Sequence, residues 1–338
     1  MKAIRYYGPN KPLKLEEIPR PEPGYGEVIV KIAASGICHT ELHFLSGLLN
    51  LGIAPMTLGH EIAGTIEAVG TGVDKRLEGA RVIVYYYVGC GKCEHCLRGD
   101  ENLCNNLRAE YGFISDGGFA EYIKAPARNV VMLPDNISFE VAAPIGCSVT
   151  TAIHGSKLAD IKLGDSVLVY GIGAVGYGIV QLAHMAGATV IGVGRSDVKL
   201  AKAKELGADF VINAAKENVP EKVKDMTHGR GADAIFELVG IKESMDNSMK
   251  SIAKRGRLVF IGYSPDSFTV HPIMLVITEA KVMGAVGNTL EELVESVRLV
   301  SEGKIKTIVD RTLKLDQFQE GIDMLSAGKA VGRIMLKP

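Results

Sequence analysis

The six cysteines of the chain stand in two arrangements. Four of them, Cys90, Cys93, Cys96 and Cys104, follow the spacing C-x2-C-x2-C-x7-C in "CGKCEHCLRGDENLC". Four thiolates so close together can fill a tetrahedral zinc shell and leave no position for water, so the spacing predicts a structural metal. Bacterial ferredoxin clusters use a shorter third gap and a proline after the last cysteine, and neither is present. Disulfides between cysteines this close make poor crosslinks. The other two, Cys38 in "GICHTELH" and Cys147 in "PIGCSVTTA", would each read alone as a small buried hydrophobe. Joined to His60 of "GHEIAGTIEAVGTGV", they form a Cys2His set with a fourth position open to water or substrate, the ligand pattern of a catalytic zinc. Two zinc ions per chain are therefore expected.

A second chemistry is written in "VLVYGIGAVG". Gly171, Gly173 and Gly176, with Ala174 and Val175 between, have G-x-G-x-x-G spacing between a strand-like run and a helix-like one. The first glycine permits the turn, the second lets backbone approach a pyrophosphate, and the third allows close helix–strand packing. The free N–H groups of the helix start favour the phosphate charge. About twenty residues further on, NAD-binding chains place an acid on the ribose 2′-hydroxyl. Here the strand "TVIGVG" ends in Gly194, followed by Arg195 and Ser196, a guanidinium and a hydroxyl suited to a 2′-phosphate. The expectation is NADP ahead of NAD. The alternative is that Arg195 stacks on adenine and the enzyme takes both.

These groups need elements to hold them. A chain of 338 residues suits roughly two domains. Its 38 basic and 39 acidic residues give a net charge of −1, which offers no electrostatic attraction to nucleic acid or an anionic membrane. The N-terminal stretch lacks an apolar h-region, so a reducing cytoplasm is expected. The mostly apolar stretch 166–194 could pass for a membrane span, but its glycines, with Gln181 and His184, read better as strand, turn and helix. Up to about residue 150 the chain shows short alternating runs ("EVIVKIAASG", "IAGTIEAVG", "ARVIVYYYVG") between Gly and Pro turns, a mainly β, barrel-like domain. From Ser166, the strands "VLVYG", "TVIGVG", "FVINA", "AIFELVG" and "RLVFIGY" alternate with helical segments such as "DVKLAKAKELGA", the pattern of a parallel sheet flanked by helices. The tail after Gly287 is expected to fold back onto the first domain. The predicted division is 1–148 with 287–338, carrying the cysteine lobe near 89–105, and 149–286.

With "GHEIAGTIEAVGTGV" (family pattern GHE-x2-G-x5-G-x2-V), the four-cysteine lobe, "CHTELH" and "GIGAVG", the chain resembles, over essentially its full length, the zinc-dependent alcohol dehydrogenases of the medium-chain dehydrogenase/reductase superfamily. The resemblance implies an α/β protein. A GroES-like catalytic domain would join a Rossmann cofactor domain, with the active site in the cleft between them. It implies that Thr40 bonds the reacting oxygen and that His43 passes its proton outward through the cofactor ribose. His39 and Arg333 would contact the cofactor phosphates, and Thr151 the nicotinamide. Glu41 stands where relatives have the Asp that orients the histidine ligand, which puts that bond in question. Glu61 is either an occasional fourth ligand or a charge behind the metal. Tyr85, Tyr86 and Tyr87 precede the lobe where relatives line the substrate pocket. The implied reaction is hydride exchange between an alcohol and an aldehyde or ketone, by a homo-oligomer, a tetramer ahead of a dimer. A polyol or threonine dehydrogenase on the same scaffold is the enzyme alternative. A non-catalytic zinc-stapled cofactor binder, or a quinone-reductase relative without catalytic metal, is opposed by the retention of Cys38, His60 and Cys147.

Overall fold

The computed structural model describes residues 1–338, which divide into two compact units, Met1–Thr150 with Asn288–Pro338, and Thr151–Gly287. The first unit is built on a seven-stranded sheet. Its spine is the long strand Glu27–Ile37, paired antiparallel with Glu61–Val69, Tyr122–Pro126 and Arg333–Lys337. The "EVIVKIAASG" run supplies β-branched residues to this strand, and Val28, Ile29, Val30 and Ile32 are buried along it. A three-stranded sheet, Lys14–Glu17, Lys2–Tyr6 and Met56–Thr57, closes the barrel-like core around Ile4, Ile37, Phe44, Phe119 and Ile334.

The register of the spine sets the position of the chemistry. Gly36 lies opposite Glu61, so the end of one strand, just before Cys38, meets the start of the next, just after His60. Twenty-odd residues of sequence separate these two candidate ligands, and one antiparallel pairing brings them together.

The "ARVIVYYYVG" run differs from its expected single strand: it is split into Arg81–Val84 and Tyr87–Val88. Asn129 causes the break. Its carbonyl accepts the Tyr85 N–H at 2.7 Å, and its amide donates to the carbonyls of Tyr85 and Tyr87 at 3.2 and 2.7 Å. A side-chain amide thus takes over the bonds that a ladder would have supplied.

The second unit is one six-stranded, wholly parallel sheet, in the order Phe210–Asn213, Thr189–Gly194, Ser166–Tyr170, Ala232–Glu237, Ile252–Phe260, Lys281–Gly284. The first strand of the unit lies inside the sheet, and the order reverses beside it, which defines the doubly wound Rossmann topology. The strands carry continuous apolar runs because both faces are covered; Val167, Leu168, Ile191, Val193, Ile235 and Leu258 are buried. The stretch that could pass for a membrane span is strand Ser166–Tyr170, helix Ala174–Met185 and strand Thr189–Gly194. No helix is long and apolar enough to cross a membrane. The sixth strand, Lys281–Gly284, was not anticipated from the sequence: only four residues long and bracketed by loops, it lacks a periodic signature.

Candidate metal centres and cofactor turn

Cys38 closes the strand Glu27–Ile37 and becomes the N-cap of the helix His39–Ser46. That helix starts with a capping box completed by Glu41, whose Oε2 accepts the Cys38 N–H at 2.6 Å. Its other oxygen lies 3.4 Å from His60 Nδ1, an ion-pair distance outside hydrogen-bond geometry. The longer glutamate side chain therefore does reach the histidine, while fixing the cysteine's backbone as well. Cys147 sits at the end of a short 3-10 turn, Ala143–Gly146, just before the helix Ser148–Ala159. The ligand atoms of Cys38, His60, Glu61 and Cys147 all lie within 4.8 Å of one another.

The electrostatics of this set suit a cation. Cys38 is held well below the ordinary thiol range, chiefly by a hydrogen bond from Cys147, with Arg333 and His60 adding to it against desolvation. The same thiol–thiol bond, together with burial, raises Cys147 well above it. Desolvation opposes a charge on His60, yet the neighbouring Cys38 thiol and Glu41 carboxylate outweigh it and raise its pKa. Burial pushes Glu61 up to about 7 despite the Arg333 guanidinium, whose Nη2 lies 2.6 Å from its Oε1. Neither Glu61 oxygen receives a well-formed hydrogen bond. Sulfur and carboxylate donors with unspent acceptor capacity, buried around a common point, fit a zinc ion in donor type and charge.

Gly36 is a component that the sequence reading did not single out. A β-carbon there would fall 1.9 Å from Glu61 Oε2, so the carboxylate occupies the space this glycine leaves. Only the glycine just before "ICH" hinted at it.

Of the proton-handling residues, Thr40 Oγ1 lies 3.6 Å from Cys38 Sγ. Half-buried His43 lies on the same helix, its pKa lowered by desolvation and then by His39. His39 is exposed at the helix start. Arg333 is buried, not a solvated surface arginine, and its guanidinium pairs with the Glu61 carboxylate. Thr151 is buried, one helical turn after Cys147. Beside the ligands stands an aromatic group: His60 lies 5.4 Å from the Tyr86 ring and 5.0 Å from Phe113, and Tyr86 lies 4.4 Å from Tyr87.

The lobe brings Cys90, Cys93, Cys96 and Cys104 together. Cys93 caps the short helix Glu94–Arg98, whose first turn places Cys96 beside it. The sulfurs of Cys93 and Cys96 are 3.5 Å apart, Cys93 and Cys104 3.8 Å, and Cys90 and Cys96 3.9 Å. A zinc tetrahedron with bonds of ~2.3 Å has edges of about 3.8 Å, whereas a disulfide would need about 2.05 Å. Backbone N–H groups of Lys92 and Cys93 bring Cys90 down to about 6. Cys104 accepts from the N–H groups of Cys90 and Asn106. Burial pushes Cys96 up to about 12, so in the absence of a cation this thiol keeps its proton.

In the second unit the glycine turn has the three expected properties. Gly171 has φ +114°, a conformation that favours glycine. A β-carbon on Gly173 would meet nothing within 4 Å, leaving room over the turn for a ligand. One on Gly176 would lie 2.3 Å from the Gly171 carbonyl, so helix and strand approach closely there. Ala174 and Val175 open the helix Ala174–Met185, whose N-cap Gly173 provides no side-chain cap, leaving its first N–H groups available to an anion. Gly194 ends its strand with Arg195 exposed beside it. Ser196 has a prior task as N-cap of the helix Asp197–Glu205, its hydroxyl accepting from the Lys199 N–H at 3.5 Å.

Comparison with known proteins agrees with this architecture. Residues 24–135 match the alcohol dehydrogenase GroES-like domain, and residues 174–302 match the zinc-binding dehydrogenase domain. The chain is 38% identical to an alcohol dehydrogenase of Geobacillus stearothermophilus, over 100% of this chain and 99% of that one. It is 35% identical to an NAD-dependent alcohol dehydrogenase of Sulfurisphaera tokodaii over the full length of both. The crystal structure of an alcohol dehydrogenase from the archaeon Aeropyrum pernix matches with a TM-score of 0.93 and 34% identity, covering 100% of both chains. A two-unit fold that pairs a GroES-like sheet bearing thiolate–imidazole clusters with a dinucleotide-binding sheet thus has full-length kin, and the chain belongs to the zinc-dependent alcohol dehydrogenases of the medium-chain dehydrogenase/reductase superfamily. It is an oxidoreductase that interconverts alcohols with aldehydes or ketones by hydride exchange with a nicotinamide cofactor.

Proposed function

We propose that Cys38, His60 and Cys147 hold the catalytic zinc, with Glu61 and its partner Arg333 as the charge pair behind it, and that Cys90, Cys93, Cys96 and Cys104 hold a structural one. The observation that carries this is the closeness of the Cys38, His60, Glu61 and Cys147 ligand atoms, all within 4.8 Å of one another although they come from three separate stretches of chain. When bound, zinc would supply the Lewis acidity that makes an alcohol hydroxyl acidic near neutrality, as it lowers the pKa of bound water to about 7, and the nicotinamide would accept the hydride.

The protein's own residues do the rest. Glu41 sets the orientation of the His60 ring and the backbone of Cys38 together. Thr40 would hydrogen-bond the substrate oxygen and accept its proton while giving up its own, and His43, half-buried and held as a neutral base, would take the proton on toward solvent. Tyr86, Tyr87 and Phe113 line the space beside His60 and exclude water from it. The glycine turn and the start of helix Ala174–Met185 would hold the cofactor pyrophosphate, and Thr151 would contact the nicotinamide. His39 and Arg333 add positive charge toward the phosphates, Arg333 as the second function of a side chain already anchored by Glu61.

The cofactor is NADP in preference to NAD. A β-carbon on Gly194 would make only ordinary contacts, 3.5 Å to Leu200, so space alone does not exclude an acid there. Its absence beside exposed Arg195 favours a 2′-phosphate, toward which the Ser196 O–H is still able to donate. The Sulfurisphaera tokodaii relative named as NAD-dependent is the counterweight.

We further propose a homo-oligomer, a tetramer ahead of a dimer, working in the cytoplasm. Ile273, Val276 and Ile277 of the helix Pro272–Thr278 are exposed, and the neighbouring strand Lys281–Gly284 has an unpaired outer edge, surfaces that a second copy would cover. Metal analysis with alcohol oxidation tests the central reading: two zinc ions per chain and NADP-linked turnover are expected. One ion that survives Cys38→Ser unchanged would end it.

A further inference from the structure

Glu237 ends the strand Ala232–Glu237 and is buried, yet the donors its carboxyl takes are all neutral. Oε1 accepts the Val239 N–H at 3.0 Å and the Ser244 hydroxyl at 2.6 Å. The Gly240 N–H reaches both oxygens, at 3.0 and 2.9 Å. Burying a carboxyl is costly, and here its bonds hold one short segment, Leu238–Gly240. Tyr170 and Glu237 are register partners in the parallel sheet, so this segment and the glycine turn leave the sheet side by side. Chain order runs outward in opposite directions from their two strands, which makes the gap between them the switch point where sheets of this kind bind ligands.

The turn and the segment touch. A β-carbon on Gly171 would fall 2.9 Å from Leu238 Cβ and 3.0 Å from Val239 Cγ2. Leu238 and Val239 are themselves only partly buried, an apolar surface kept beside the turn. Main-chain and hydroxyl bonds hold the two ends of the segment: Leu238 N–H donates to the Tyr170 carbonyl at 2.9 Å, and the Gly240 carbonyl accepts the Ser264 hydroxyl at 2.7 Å. Its middle depends on the carboxyl, because the N–H groups of Val239 and Gly240 donate to Glu237 and not to a backbone carbonyl. Gly240 takes the left-handed conformation, at φ +78°, that turns the chain there.

We propose that Glu237 is a positioning residue for the cofactor, fixing Leu238–Gly240 through the Val239 and Gly240 N–H groups as the wall opposite the glycine turn. This rests on the reading of that turn as the cofactor site. Glu237 acts through the segment and touches neither cofactor nor substrate. Without the carboxyl the segment spreads over several conformations, and the apparent Kd rises by the reciprocal of the fraction still competent.

Equilibrium titration of the zinc-loaded enzyme with NADPH and, separately, NADH tests this, alongside a thermal melt of each variant. Glu237→Ala is expected to raise the Kd of whichever cofactor the parent binds by roughly tenfold or more. Glu237→Gln should stay within about threefold of the parent, since its amide oxygen can stand in for Oε1 and accept from Val239, Gly240 and Ser244. Glu237→Asp keeps the charge but draws it back by one methylene; it should weaken binding as alanine does, and it replaces the alanine variant should that one not fold. A lowered melting temperature with a parental Kd in the folded molecules overturns the inference, because a merely structural carboxyl behaves that way. A glutamine variant as weak as the alanine one overturns it too, assigning the effect to charge rather than to the bonds. A parent that binds neither nucleotide overturns the reading of the glycine turn itself.

Discussion

Gly36 and Glu61 face each other across the spine of the first sheet, and the Glu61 carboxylate fills the position that a side chain on Gly36 would take, 1.9 Å from its β-carbon. The Gly36→Ala substitution must displace that carboxylate and, with it, the Arg333 ion pair behind Cys38 and His60. We expect zinc content to fall by about one ion per chain while the lobe keeps its metal, and turnover to drop at least a hundredfold. Overpacking of this kind costs ~1–3 kcal/mol, so the variant should still fold. Metal analysis that finds both ions retained would show the contact to be tolerated.

The lobe predicts the opposite pattern. Cys96→Ser breaks a near-tetrahedral sulfur set and should lower the melting temperature far more than it alters the chemistry of the molecules still folded. Chelation should reproduce the loss. Thermal melts of variant and parent that coincide would remove the structural role.

His43 governs pH dependence. Burial, and then the charge of His39, depress its pKa below the ordinary 6.5, so the neutral base persists to lower pH and the acid limb of the rate should lie below that value. His43→Gln should reduce neutral-pH turnover by about tenfold to a hundredfold, with recovery as pH rises and hydroxide substitutes for the relay. A profile identical to the parent's would take His43 out of the proton path.

Arg195 decides the cofactor. Charge-assisted bonds of about 1.5–3 kcal/mol correspond to roughly ten- to a hundredfold, so Arg195→Ala should reduce the NADPH-over-NADH ratio of kcat/KM by that factor. Parallel kinetics with the two cofactors would check it; an unaltered ratio returns the preference to NAD or to both.

What could be read from the sequence was local or strongly spaced. The lobe's four cysteines lie within a few turns of chain, and the glycine turn binds through backbone that its own residues shape. Cys38, His60 and Cys147 could be grouped because their residue types are rare and mutually apt, although only the Gly36–Glu61 register explains why the first two meet. The role of Gly36 was not legible, since it depends on which residue stands across a strand pair, and pairing partners leave no mark at a single position. Arg333 shows the same limit: a terminal arginine reads as surface until the sheet places it against a carboxylate remote in sequence. The break at Tyr85 was hidden for a related reason, because Asn129 imposes it from another segment.

The C-terminal strand Arg333–Lys337 pairs with Glu27–Ile37, and it carries the guanidinium that balances Glu61. During synthesis, residues 151–287 emerge as an uninterrupted stretch and can fold while the catalytic sheet still lacks one of its inner strands. The nucleotide unit is thus complete in sequence before the strand that carries Arg333 has been made. Loss of the strand Arg333–Lys337 would leave the buried Glu61 carboxylate without its guanidinium while sparing the nucleotide unit.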